Sequence, residues 1–133
     1  MSHILVVEDE VIVGLAMREE LRDLGATVVV ANDAESALEI LLTTSFQAAI
    51  IDVALPGMRG DDLAQHCQRT YPAMPIVLAT AMNEREVRRG LAVDSKLAIL
   101  EKPYDFAALQ RCLEQLGLTF SAPLRSNVSP IPA

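Results

Sequence analysis

Apolar residues gather along this chain in five short, nearly unbroken blocks: Ile4–Val7, Thr27–Ala31, Ala48–Asp52, Ile76–Ala79 and Leu97–Leu100. None alternates apolar with polar positions as a half-exposed strand would. Continuous runs of this length predict strands covered on both faces. Between the blocks the period changes. Gly14, Met17, Leu21 and Leu24 recur at spacings of three, four and three, which aligns them on one helical stripe. Gly25 follows as a stop signal. Asn32, with Glu35 three residues on, predicts a capping box opening a second helix whose inner stripe is Ala34, Ala37, Leu38 and Leu41. Leu63, Cys67 and Tyr71 mark a third helix that stops before Pro72. Glu84–Leu91 predicts a weak fourth, because Gly90 and scarce apolar anchors work against it. Asp105 is placed to cap a fifth, which carries Leu109, Cys112, Leu113 and Leu116 and ends at Gly117. Five strands alternating with five helices predict an α/β fold, a doubly wound parallel sheet with helices on both faces.

The pattern stops near Leu118. Residues 119–133 are rich in Ser and Pro and present no periodic face, so we expect a domain over 1–118 followed by a flexible C-terminal tail. A length of 133 residues suits one domain with a real core, and a hydrophobic share of 51% excludes a disordered chain. With aromatics at 4% that core must be mostly aliphatic. No apolar run approaches the roughly 20 residues of a membrane span. The N-terminal MSHILVVEDE has acids directly after its apolar run and no basic leader, which predicts a cytoplasmic protein. A net charge of −7 argues against direct binding to nucleic acid, which depends on neutralising phosphates. Arg85, Arg88 and Arg89 then read as a solvated helix face. Cys67 and Cys112 lie within helical patterns with no partner at metal-ligand spacing, so both read as free thiols.

Charge and hydroxyl groups fall at the ends of the apolar blocks. Glu8 and Asp9 follow the first, Asp52 ends the third, Thr80 follows the fourth and Lys102 follows the fifth. In a parallel sheet the carboxyl ends of the strands share one edge, where ligands bind. Residues distant in sequence thus meet in one pocket with three carboxylates, a hydroxyl and an ammonium. Crowded carboxylates repel one another unless a cation joins them. Mg²⁺ takes oxygen ligands in a near-octahedral shell at about 2.0–2.1 Å and keeps several waters. Glu8, Asp9 and Asp52 can supply part of such a shell and leave room for a phosphate oxygen. Asp52, after a strand apolar enough to be central, is the candidate nucleophile, since a carboxylate can take a phosphoryl group as an acyl phosphate. Lys102 can neutralise a phosphoryl oxygen and Thr80 can donate a hydrogen bond to another. Singly, each of these residues has an ordinary explanation as a turn former, a cap or a surface charge. Their joint position at four strand ends outweighs those explanations.

With these residues in view the chain resembles the receiver domain of bacterial two-component response regulators over about residues 3–117. The matching positions are Glu8-Asp9 in VVEDE, Asp52 in IIDVALPGMRG, Thr80-Ala81, and Lys102-Pro103 in LEKPY. The resemblance implies a flavodoxin-like strand order 2-1-3-4-5. It implies that Asp52 is phosphorylated, with Mg²⁺, by a sensor histidine kinase or a histidine phosphotransfer protein, and that the change switches binding of a downstream protein. By the same likeness Asp9 binds the metal directly, Glu8 through water, and the backbone carbonyl of Ala54 is a third ligand. The Ala81 N–H helps hold the phosphoryl group. Thr80 and the position three before the lysine, here Ile99, would form the switch, although the family usually has an aromatic there. Leu78–Met82 partly resembles the Phe-Ala-Thr-Gly-Tyr stretch of a subgroup that often stands alone. Such a domain is no enzyme on external substrates; it promotes only its own phosphorylation and dephosphorylation. The strand start three residues after Met1 and the short tail fit a stand-alone protein. The alternatives are a receiver fragment of a larger hybrid kinase and a small aspartyl-phosphate phosphohydrolase. The latter would want a second acid two residues after Asp52, where Ala54 stands.

Overall fold

The computed structural model describes residues 2–92 and 96–120. Strands and helices alternate throughout: β1 (His3–Val7), α1 (Val11–Asp23), β2 (Thr27–Ala31), α2 (Ala34–Thr43), β3 (Ala48–Asp52), α3 (Gly60–Thr70), β4 (Ile76–Thr80), α4 (Glu84–Val87), β5 (Leu97–Glu101) and α5 (Phe106–Gln115). The five strands form one parallel sheet in the order β2-β1-β3-β4-β5, the order that the resemblance implied.

Successive strand residues point to opposite faces, and here both faces are covered. Leu5, Val7, Ala49, Ile51, Ile76 and Leu78 face a layer that holds Ala37, Leu41, Leu63, Cys67 and Val87 of α2, α3 and α4. Ile4, Val6, Ala48, Ile50, Val77 and Leu100 face Met17, Leu21, Leu109 and Leu113 of α1 and α5. This two-sided burial explains the unbroken apolar blocks. Central β3 is buried along its whole length, Asp52 included. Edge strand β2 is only half covered through Val28, Val29 and Val30. Full burial of each Leu or Ile contributes about 1.5–3 kcal/mol, so the aliphatic core is sufficient despite few aromatics.

Several predicted helix ends are observed. Gly25 and Gly117 follow α1 and α5 with positive φ, and the Asp105 side chain accepts the Ala108 N–H at 2.9 Å. Three expectations need correction. The cap of α2 is Asp33, whose Oδ1 accepts the Ser36 N–H at 2.7 Å, not Asn32. The helix starts at Ala34, which puts Glu35 one position too early to complete a capping box. Tyr71 stands just beyond α3 rather than in its last turn. The fourth helix is one turn, Glu84–Val87, rather than Glu84–Leu91. Its Asn83 cap is sound, accepting the Glu86 N–H at 2.9 Å, but Gly90 takes φ +78°, which ends any helical path.

Cys67 is buried in α3, where burial pushes its thiol up to about 11, and Cys112 is half-buried; both are free. No helix among the described residues is long and apolar enough to cross a membrane. Thr119 and Phe120 still touch the body. The Ser2 hydroxyl donates to the Thr119 carbonyl at 3.2 Å, and Phe120 packs against the α1/α5 layer. The remainder of the expected tail, 121–133, lies outside the described residues.

Candidate functional site

All five predicted side chains meet at the carboxyl edge of the sheet, because each lies at the end of its strand. Asp52 is the last residue of β3 and 5% exposed. Its Oδ1 accepts the Ala54 N–H at 3.1 Å and the Lys102 Nζ at 3.0 Å. Thr80 ends β4, 1% exposed, with its Oγ1 accepting the Met82 N–H at 2.8 Å. Lys102 is the first residue past β5, and its own N–H donates to the Thr80 carbonyl at 2.7 Å. That bond ties the lysine's backbone to the threonine's. The Lys102–Pro103 peptide is cis. Ala81, next to Thr80, is exposed.

The acid pair completes the pocket. Glu8, 3% exposed, follows β1; its N–H donates to the Ala31 carbonyl at 2.9 Å and its Oε2 accepts the Glu10 N–H at 3.1 Å. Asp9 is exposed. One carboxylate oxygen from each of Glu8, Asp9 and Asp52 lies within 4.8 Å of the others. Burial, with the Asp52 charge adding to it, pushes the Glu8 carboxyl up to about 7, although the Glu10 N–H and Lys102 pull the other way. Three carboxylates thus gather around the one ammonium that Lys102 supplies. Three converging hard oxygens, short of positive charge, fit a small divalent cation with water in its remaining positions.

Some contributors were not singled out in the sequence. Gly60 opens α3 so close to Asp52 that a Cβ there would lie 1.9 Å from the Asp52 carbonyl oxygen. Any side chain would push α3 or the Asp52 backbone aside. The available signal was a glycine at the head of a helix, where it is a poor former. The Glu10 N–H also supports the acid loop, as does the amide of Asn32, a residue the sequence marked only as a helix cap, which donates to the Glu8 carbonyl at 3.1 Å. Ile99 is half-buried on β5 and packs on the α2/α3/α4 side with Leu78 beside it.

An apolar groove of about 750 Å³ opens beside the pocket. Glu8, Ala81 and Lys102 form one end; Ile12, Val13, Ala16, Pro103, Tyr104 and Phe106 line the rest. Ile12 is 82% exposed and Val11 59%, so the first turns of α1 present apolar side chains to solvent. Tyr104 has its hydroxyl pushed up to about 12, first by burial and then by the nearby acids, so it stays protonated.

Comparison with known proteins agrees with this geometry. Residues 4–114 match the family described as "Response regulator receiver domain". The chain is 32% identical over 130 residues to the two-component response regulator PhoP of Pseudomonas aeruginosa. That match covers 97% of this chain and 57% of PhoP, so the chain spans little more than half of that relative. Among solved structures, the non-phosphorylated HemR receiver domain of Leptospira biflexa is 26% identical, with a TM-score of 0.78 over 90% of this chain and 97% of that one. The response regulator TrrA of Thermotoga maritima, crystallised with Mg(2+)-BeF, has the same fold at 24% identity, with a TM-score of 0.76 over 87% of this chain and 99% of that one.

Proposed function

Since this chain belongs to the response regulator receiver domain family, a phosphoacceptor signalling module, we propose that Asp52 accepts a phosphoryl group from a histidine kinase or phosphotransfer protein and thereby switches binding of a downstream partner. The observation that carries this reading is the convergence on Asp52 of the Glu8 and Asp9 carboxylates and the Lys102 ammonium, 3.0 Å away. In the step, an Asp52 carboxylate oxygen attacks phosphorus in line with the leaving imidazole nitrogen of the donor histidine. The P–O bond forms, the P–N bond breaks, and the imidazole leaves with the electron pair. Lys102 exchanges its contact with the free carboxylate for one with a phosphoryl oxygen. The Thr80 hydroxyl and the Ala81 N–H take the other oxygens, fixed donors where negative charge accumulates.

Glu8, Asp9, Asp52 and the Ala54 carbonyl would hold Mg²⁺, which when bound supplies charge neutralisation for the phosphoryl oxygens. The apolar groove beside the pocket is the natural seat for the donor, since it adjoins the lysine and offers exposed aliphatic surface. Hydrolysis of external substrates is disfavoured because Ala54 offers no side-chain acid or base next to Asp52.

The test is intact-mass spectrometry after incubation with acetyl phosphate and Mg²⁺. We expect one added phosphoryl group on the native chain and none on Asp52→Asn, with the variant still folded. Stoichiometric labelling of that variant, or none of the native chain, would sink the assignment.

A further inference from the structure

Asn32 and Glu35, the two residues whose spacing predicted a capping box, both turn away from that task and reach loops of the acidic pocket. Asp33 caps α2 alone. The Asn32 amide donates to the Glu8 carbonyl at 3.1 Å. Glu35 lies over Gly57 in the loop after Asp52, where a Cβ built on Gly57 would stand 3.3 Å from Glu35 Oε2. Glu8 and Asp9 each bring a carboxylate oxygen within 4.8 Å of one on Asp52, and their mutual repulsion tends to spread the loop. What opposes it is a grip on Glu8 from the β2–α2 corner. The Ala31 carbonyl holds the Glu8 N–H at 2.9 Å and the Asn32 amide holds the Glu8 carbonyl.

We propose that Asn32 is a positioning residue for the cation site: its amide anchors the Glu8–Glu10 loop and sets how tightly the Glu8, Asp9 and Asp52 carboxylates converge. Asn32 touches neither the metal nor the phosphoryl group; it acts through the Glu8 backbone. Groups that orient metal ligands tune affinity even from outside the coordination sphere. The inference rests on reading those three carboxylates as the Mg²⁺ site.

The test compares the full chain with Asn32→Ala, Asn32→Leu and Asp33→Ala, metal-free and unphosphorylated. Mg²⁺ is titrated calorimetrically, Tm is measured, and exchange of the Glu10 amide is followed by NMR. We expect both Asn32 variants to bind Mg²⁺ about threefold to tenfold more weakly, the worth of roughly one hydrogen bond. Their Glu10 amide, which reports the loop through its bond to Glu8 Oε2, should exchange faster, and Tm should barely move. Asp33→Ala, which removes the cap, should lower Tm but keep native Mg²⁺ affinity and Glu10 exchange. Native affinity and exchange in the Asn32 variants would overturn the proposal. So would an equal loss of affinity in Asp33→Ala, since that would trace the effect to the stability of α2. A native chain that binds no Mg²⁺ would overturn the cation reading and this inference with it. A native chain that binds, beside unaltered Asn32 variants, would overturn this inference alone.

Discussion

Glu8 is a buried acid in a cluster of acids, and its protonation has a consequence for stability. Burial, reinforced by Asp52, raises its carboxyl from the usual 4.5 to about 7 in the folded chain. Between those values the folded state holds a proton that the unfolded state has lost. Stability then falls as pH rises, and the part due to Glu8 is fully present below about 4.5 and gone above about 7. The span is on the order of 3 kcal/mol. Thermal melts without metal should therefore show Tm decreasing from pH 5 to pH 8, and Glu8→Gln should flatten that slope. Mg²⁺ competes with the proton for the same oxygens, so it should raise Tm more at pH 8 than at pH 5. A slope unchanged in Glu8→Gln would assign the pH dependence to another group. Asp9→Asn bears on the same cluster from its exposed side. It should weaken Mg²⁺ binding by tenfold or more, as read by calorimetry, because it removes the charge of one of the three carboxylates proposed to hold the cation.

At the scale of elements, the strands were legible to within a residue at their ends, since a strand covered on both faces is apolar along most of its length. The placement of the candidate residues was legible for the same reason: Asp52, Thr80 and Lys102 end or follow apolar blocks, and the fold brings block ends together. Finer features depended on one residue of register or on close approach. Whether Asn32 or Asp33 caps α2 turns on where the first helical residue falls. The need for a bare Gly60 arises only once α3 lies on the Asp52 carbonyl. The short α4 was foreseeable in kind but not in length. It buries only Val87; after it Leu91 reaches the core, and the Gln68 side chain pairs with both the N–H and the carbonyl of Ala92 at 2.9 and 3.1 Å. We propose that this lightly anchored segment carries the switch. The Thr80 hydroxyl holds the Met82 N–H at 2.8 Å, and a phosphoryl oxygen on Asp52 would draw that hydroxyl inward. Ile99 has no hydroxyl edge with which to follow an aromatic-type movement. Hydrogen exchange with and without beryllium trifluoride should therefore change most over Ala81–Ala92 and the adjoining face of α5. Thr80→Ala should abolish most of that change. A change centred on α1 would place transmission elsewhere.

At the scale of the whole molecule the two edges of the sheet divide the work. The acids, Thr80 and Lys102 occupy the carboxyl edge, while the chain leaves its described part at the other. Ser2, Gln47 and Pro75, which precede β1, β3 and β4, border a small cleft with Leu116, Gly117, Leu118 and Thr119. Leu118 is 7% exposed, and Phe120 is half-buried against the α1/α5 layer. The stabilising part of the C-terminus thus includes Phe120, while the acidic pocket is a full strand length away. We propose that residues beyond Phe120 add nothing to the domain, because the sequence there has no periodic apolar face to offset the entropy of ordering. Ending the chain after Phe120 should leave Tm within about a degree of the full chain. Ending it after Leu118 should cost about 1 kcal/mol of apolar burial, read as a fall of a few degrees in Tm. Neither truncation should change Mg²⁺ affinity or the phosphoryl mass added at Asp52, because the contacts of Leu118–Phe120 lie at the edge of the sheet opposite Asp52. A drop of more than a few degrees on removing 121–133 alone would show that those residues pack on the domain, and slower labelling of Asp52 would show that they reach the pocket.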